Sequence, residues 1–141
     1  MRCAGIDLGK VRVGLAVGDE LGLLAHARPY LDGRNPGQLV DALSNLVKSE
    51  CIDVFVVGLP LALDGHEGSA ARRSRSFAER LQRRTGVRVI LMDERLTTKQ
   101  ASRQLRAVGR SSKQQRKVID SVAAVVLLQA YLDSSPNHSE P

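Results

Sequence analysis

The stretch Ile52 to Val57 is apolar and largely β-branched apart from Asp53. Six residues is strand length rather than helix length. A strand that is apolar at consecutive positions has no face to offer to water, so helices must cover both sides of its sheet. Val87 to Met92 reads as a second buried strand of this kind. Val11 to Val17 differs: Val11, Val13, Leu15 and Val17 alternate with Arg12, Gly14 and Ala16, the period of a half-buried strand. Cys3 to Leu8 precedes it as a short apolar strand, and the tight Gly9-Lys10 connection makes the two a hairpin. Leu23 to Leu31 reads as a weaker third strand after the turn-like Gly18-Asp19-Glu20.

Helical spacing fills the intervals. Leu39, Leu43, Leu46 and Val47 predict a helix to about Ser49, and Ala70, Ser74, Phe77 and Leu81 predict a basic helix closed by Gly86. Thr97 with Gln100, and Ser112 with Gln115, are capping-box patterns. The first opens a short helix ending at Gly109, the second an apolar helix running to about Asp133. The order β-β-β-α-β-α-β-α-α predicts an α/β fold: a mixed five-stranded sheet with an antiparallel hairpin unit, flanked by helices on both faces. With 141 residues the chain suits one domain, expected over residues 1–133, with 134–141 a polar, disordered tail.

Some function classes are excluded early. No apolar run reaches the roughly 18 residues of a membrane span, and no signal-peptide pattern opens the sequence, so a cytoplasmic protein is expected. Cys3 and Cys51 are too few and too far apart for a disulfide framework or a zinc knuckle, and are expected to be buried thiols. His26, His66 and His138 show no ligand spacing. The net charge of +6 is unevenly placed: Ser69 to Lys117 holds fifteen Lys or Arg against three acids, whereas the rest of the chain is acidic by six charges. Such segregation suits a surface that faces a polyanion.

Three acids fall where this topology gathers them. Asp7 lies in the first strand, where an unpartnered carboxylate is costly. Glu94 follows the strand Val87 to Met92, and Asp120 interrupts the apolar last helix. Carboxylates from a central strand, a neighbouring strand end and a facing helix suit a hard divalent cation, Mg²⁺ or Mn²⁺. Two such ions would serve phosphodiester hydrolysis. Asp7, Glu94 and Asp120 are therefore the expected metal-binding and catalytic residues. Lys10, Arg12, Arg72, Arg73, Arg95, Arg103, Arg106, Arg110, Lys113, Arg116 and Lys117 are the expected nucleic-acid contacts. Arg103, Arg106 and Arg110 share one side of the short predicted helix, opposite Ala101, Leu105 and Val108. With two Phe, two Tyr and no Trp, base stacking is a poor general device here, which favours structured or duplex nucleic acid held by its backbone.

The same residues resemble a known family. Gly5-Ile6-Asp7-Leu8-Gly9 with Arg12-Val13-Gly14, Val57-Gly58-Leu59-Pro60 with Asp64-Gly65, Asp93-Glu94-Arg95-Leu96-Thr97-Thr98, and Asp120-Ser121-Val122-Ala123-Ala124 with Leu128-Gln129 resemble the YqgF/RuvX family over roughly residues 3 to 132. The resemblance implies a ribonuclease-H-like fold related to Holliday junction resolvases. It also implies a nuclease role in maturing the 5′ end of precursor 16S ribosomal RNA, with acidic positions that land on Asp7, Glu94 and Asp120. Many ribonuclease-H-like nucleases carry an acid at the end of the fourth strand; here that place reads Val57-Gly58-Leu59-Pro60, so Glu94 from the next strand must substitute. The alternatives are a resolvase acting on branched DNA and a non-catalytic RNA-binding ribosome assembly factor, either as a monomer or a homodimer. A two-lobed phosphotransferase would need a longer chain.

Overall fold

The computed structural model describes the backbone of residues 1–97 and 112–134, and the side chains of residues 1–95 and 121–134. The short helix expected from Thr97 to Gly109 lies for the most part outside these residues, as do positions 135–141 of the expected tail.

Five strands form one sheet in the order β3-β2-β1-β4-β5. They are β1 (Cys3–Asp7), β2 (Arg12–Gly18), β3 (Ala25–Asp32), β4 (Val54–Leu59) and β5 (Arg88–Asp93). β2 is antiparallel to both β1 and β3, while β1, β4 and β5 run parallel. The expected mixed sheet is observed. The parallel half uses helical crossovers, α1 (Pro36–Glu50) and α2 (Ser69–Thr85); the last helix, here α3, spans Ser112–Ser134.

The parity of β1 decides the layering. Ala4 and Ile6 join Val13, Leu15, Phe55 and Val57 in a core closed by Leu39, Leu43, Phe77 and Leu81 of α1 and α2. Cys3 joins Ala16, Val54 and Val56 in a second core closed by Ala124, Leu127, Leu128 and Leu132 of α3. Helices therefore cover both faces. α1 starts cleanly because Asn35 caps it, its Oδ1 accepting from the Gln38 N–H, with Pro36 in the first turn.

Several local expectations are corrected. β2 is buried on both faces after Arg12, because α3 covers Gly14 and Ala16 as α1 and α2 cover Val13 and Leu15. β5 is an edge strand, so its apolar side chains are only half buried. β3 starts at Ala25, leaving Leu23 and Leu24 exposed in the preceding turn. On α2 it is Ala71, not Ala70, that is buried. Cys3 is buried but Cys51 is exposed, since it ends α1 in the left-handed region, φ 57°, and turns outward. Asp53 stands just outside β4, its N–H donating to the Arg2 carbonyl and its carboxylate accepting from the Arg2 N–H, which fixes the β1–β4 register.

Candidate active site

Residues of odd number in β1 and of even number in β4 and β5 point toward α3. Ile6 pairs with Val57 and Gly58 with Met92, so one further step along β1 brings Asp7 level with Gly58. Glu94 has the parity of Met92 and follows the last residue of β5, in a 3₁₀ turn (Glu94–Thr97). Asp7, Gly58 and Glu94 thus meet at the carboxyl ends of three adjacent parallel strands, on the α3 face.

The Asp7 and Glu94 side chains are hydrogen bonded to each other. Burial pushes the Glu94 carboxyl up to about 8, helped by the Asp7 bond and charge and by the charge of Asp93. In the absence of a cation, Glu94 therefore holds its proton to higher pH than a free carboxyl would. Gly58 makes this possible: a Cβ built there would collide with the Glu94 carboxylate, with Cδ and Cγ at 2.9 Å. The space a side chain on β4 would take is filled here by an acid reaching over from the end of β5. Gly58 is a site residue that sequence reasoning missed.

Asp93 has a separate task. It holds Arg95 through two carboxylate–guanidinium bonds of 2.6 and 3.0 Å and accepts from the Arg95 N–H, which keeps its carboxyl below the usual range. Arg95 also donates to the Leu63 carbonyl at 3.1 Å. This residue, expected to contact nucleic acid, is thus engaged in tying the segment after β4 to the strand that carries Glu94.

The third expected ligand, Asp120, lies within the helical backbone of α3, and its side chain is outside the described residues. Its neighbour is well placed. The Ser121 hydroxyl accepts from the Leu15 N–H at 3.1 Å and donates to the Arg28 carbonyl at 2.6 Å, where the β2–β3 register shifts. One turn on, α3 approaches β1 so closely that a Cβ on Gly5 would meet the Ala124 carbonyl at 2.9 Å and Leu128 Cβ at 2.8 Å. Gln129 accepts from the Ala25 N–H and donates to the Leu23 carbonyl. Leu132 packs near Gly18, beside the start of β1, so α3 runs antiparallel to β1 and position 120 precedes Ala124 by one turn, toward Asp7. Among the described residues no group of three potential metal ligands occurs; Asp7 and Glu94 are brought together, and Asp120 is not part of that description.

Lys10 and Arg12 are exposed in and after the β1–β2 turn, Arg12 with its guanidinium 5.2 Å from the Tyr30 ring centre. Arg72 and Arg73 are exposed on the first turns of α2. Arg103, Arg106 and Arg110 lie outside the described residues, and Lys113, Arg116 and Lys117 are described only as helical backbone. No helix among the described residues is long and apolar enough to cross a membrane.

The family model described as "RuvX: Holliday junction resolvase" matches residues 1–134. This chain belongs to the RuvX family. Its RuvX relatives include proteins named "Putative pre-16S rRNA nuclease". That of Anaeromyxobacter sp. (strain K) is 44% identical over 133 residues, covering 94% of this chain and 97% of the relative. That of Syntrophus aciditrophicus (strain SB) is 38% identical over 141 residues, covering 100% and 94%. Among solved structures, T. thermophilus RuvC in complex with a Holliday junction substrate aligns with a TM-score of 0.60 at 17% identity, covering 96% of this RuvX chain and 98% of that one. The fowlpox virus Holliday junction resolvase aligns with a TM-score of 0.60 at 14% identity, covering 96% and 100%. The ribonuclease-H-like fold expected from the sequence is therefore the fold observed.

Proposed function

We propose that this RuvX-family chain is a metal-dependent nuclease that hydrolyses phosphodiester bonds in structured nucleic acid, with precursor 16S ribosomal RNA as its substrate. The observation that carries the reading is the Asp7–Glu94 pair. Two half-buried carboxyl groups are hydrogen bonded to each other at the end of the sheet, with Gly58 leaving the room for one of them. Two carboxyls brought this close disfavour a second negative charge, and a hard cation between them would restore it. The donor set, all carboxylate oxygen, fits Mg²⁺ or Mn²⁺ and offers no soft ligand. Asp7 and Glu94 would hold the metal with Asp120, and the ions would supply Lewis acidity to the phosphodiester.

The chain's own residues have definable tasks. A carboxyl with a raised pKa must lose its proton before it can bind a cation, which links metal affinity to pH. Asp93 and Arg95 hold the strand end that carries Glu94, and Ser121 holds the helical turn next to Asp120. The basic segment from Ser69 to Lys117 supplies phosphate contacts that position the substrate without reading its sequence. The names of the relatives support the RNA substrate. The junction-binding structural relatives favour a second reading, a resolvase acting on branched DNA.

The deciding experiment compares cleavage of a precursor ribosomal RNA fragment and a four-way DNA junction, with and without Mg²⁺ or Mn²⁺, using the parent, Asp7→Asn and Asp120→Asn. Loss of RNA cleavage by at least about a hundredfold in both variants, with the fold intact, is expected; removing a metal ligand removes the charge that organises the reaction. Cleavage confined to the junction would transfer the reading to the resolvase. Nucleic-acid binding with no cleavage under any metal would leave a non-catalytic assembly factor.

A further inference from the structure

A cavity of about 360 Å³ opens on the far side of the β1–β2 turn from Asp7, between that turn, the start of α1 and the first half of α2. Its size falls at the lower end of small-molecule pockets, about 300–1,000 Å³. Its floor is apolar, built on the buried Leu39 and Phe77. Lys10, Arg73 and Arg80 form its charged rim, with Ser76 between the two arginines. Arg73, Ser76, Phe77 and Arg80 follow i, i+3, i+4, i+7 spacing, so one stripe of α2 supplies both rim and floor.

Arg75 and Arg84 on the same helix pair with Glu67 and Asp41, and Arg34 pairs with Asp32. Among the described residues no carboxylate pairs with Lys10, Arg73 or Arg80. The opposite wall is rigid: Gly33 donates to the Val11 carbonyl at 2.7 Å, and a Cβ on Gly33 would meet the Gly9 carbonyl and Val13 Cγ2 at 2.8 Å. Three cations without a carboxylate partner among the described residues, over an apolar floor, match a phosphate joined to a flat, weakly polar ring. The turn that carries Lys10 is the direct continuation of the strand that carries Asp7.

Building on the nuclease reading, we infer that this cavity is a nucleotide subsite, taking one unpaired nucleotide with its base against Leu39 and Phe77 and its phosphate on Lys10, Arg73 and Arg80. Such a pocket admits a nucleotide from a bulge or strand end and excludes one held in a pair. It gives a protein poor in aromatic residues a means of reading unpaired structure without a stacking surface.

The test is run on the whole protein in EDTA, so that it does not depend on cleavage. One arm follows the Gly9 and Gly33 amide resonances during titration with adenosine 5′-monophosphate, and separately with inorganic phosphate. The other compares affinity for an RNA duplex containing a single-nucleotide bulge with that for the fully paired duplex. Arg73→Gln/Arg80→Gln and Lys10→Gln are the variants; these side chains are exposed, and thermal unfolding checks the fold. The expected result is that the mononucleotide shifts both amides more than phosphate does, and that the parent prefers the bulged duplex at least tenfold. The double variant should weaken binding to both duplexes but lose that preference, its affinity for the bulged duplex falling about tenfold further than its affinity for the paired one. Mononucleotide binding without bulge preference would assign the subsite to the free nucleotide. Neither effect, or an equal loss on both duplexes, overturns the inference and leaves the nuclease reading untouched; absent cleavage with the bulge preference intact does the reverse.

Discussion

Gly58→Ala is the sharpest single test of the site. The new methyl would sit 2.9 Å from Glu94 Cδ and Cγ, against the 3.5–4.0 Å at which carbon atoms normally rest. Relief requires the Glu94 carboxyl to retreat by about 0.6–1 Å, since the alanine is fixed to a buried strand paired on both sides. Overpacking of this kind costs about 1–3 kcal/mol. A displacement of about 1 Å at a catalytic group costs on the order of a hundredfold in rate. Two measurements isolate the cause: metal-dependent cleavage, and unfolding of Gly58→Ala, Glu94→Ala and the double variant in EDTA. If the clash is with Glu94, the destabilisation by Gly58→Ala should vanish in the Glu94→Ala background, a coupling of about 1–3 kcal/mol. Parental cleavage by Gly58→Ala, or an equal stability loss in both backgrounds, would refute the reasoning.

Three further outcomes are expected. Glu94 has its carboxyl raised from 4.5 to about 8, so the folded metal-free protein binds more protons than the unfolded chain between those values. The contribution is fully present below pH 4.5 and is lost as pH rises through 8; denaturant titrations in EDTA should show parental stability falling over this window relative to Glu94→Gln, by on the order of 2 kcal/mol once partial exposure is discounted. Ser121→Ala strands the buried Leu15 N–H and removes the donor to Arg28, and should cost about 1–3 kcal/mol in chemical unfolding; a change below about 0.3 kcal/mol would mean the hydroxyl is replaceable by water. Replacing Arg103, Arg106 and Arg110 together by Gln should weaken binding to unrelated duplexes and flatten the log–log salt dependence by up to about three units; an unchanged slope would place the nucleic acid on another face.

The order of elements along the chain, the hairpin and the two helical layers were legible because hydrophobic period reports directly on which faces are covered. The errors came where a pattern had two physical causes. In β2 the residues opposite Val13 and Leu15 are small, which reads as a solvated face but is also what a closely packed helix requires; Gly14 and Ala16 lie under α3. In β5 an apolar run reads as central, yet neighbour order across a sheet is not written in any one strand. The position of Glu94 was legible from its place after a strand. Its contact with Asp7, 87 residues away in sequence, follows only from the register of β1, β4 and β5. Gly58 was illegible for a plainer reason: a glycine's purpose lies in the foreign atoms that occupy its missing side chain. Ser121 carried a faint signal as a hydroxyl in an apolar helix, but it was overshadowed by the charge beside it.

The anchoring of α3 also sets a rule for insertions and deletions. Ser121, Ala124 and Gln129 fasten the helix to three strands in one rotational setting, and each residue added to an α-helix turns everything beyond it by about 100° and advances it by about 1.5 Å. A single deletion between positions 120 and 124 must either unfasten Ser121 or swing the backbone at position 120 by more than a quarter turn relative to the sheet. A change of length before Ser112 leaves that phase intact. Homologous chains of differing length should therefore vary upstream of the helix and keep the interval from Asp120 to Gln129 at nine residues.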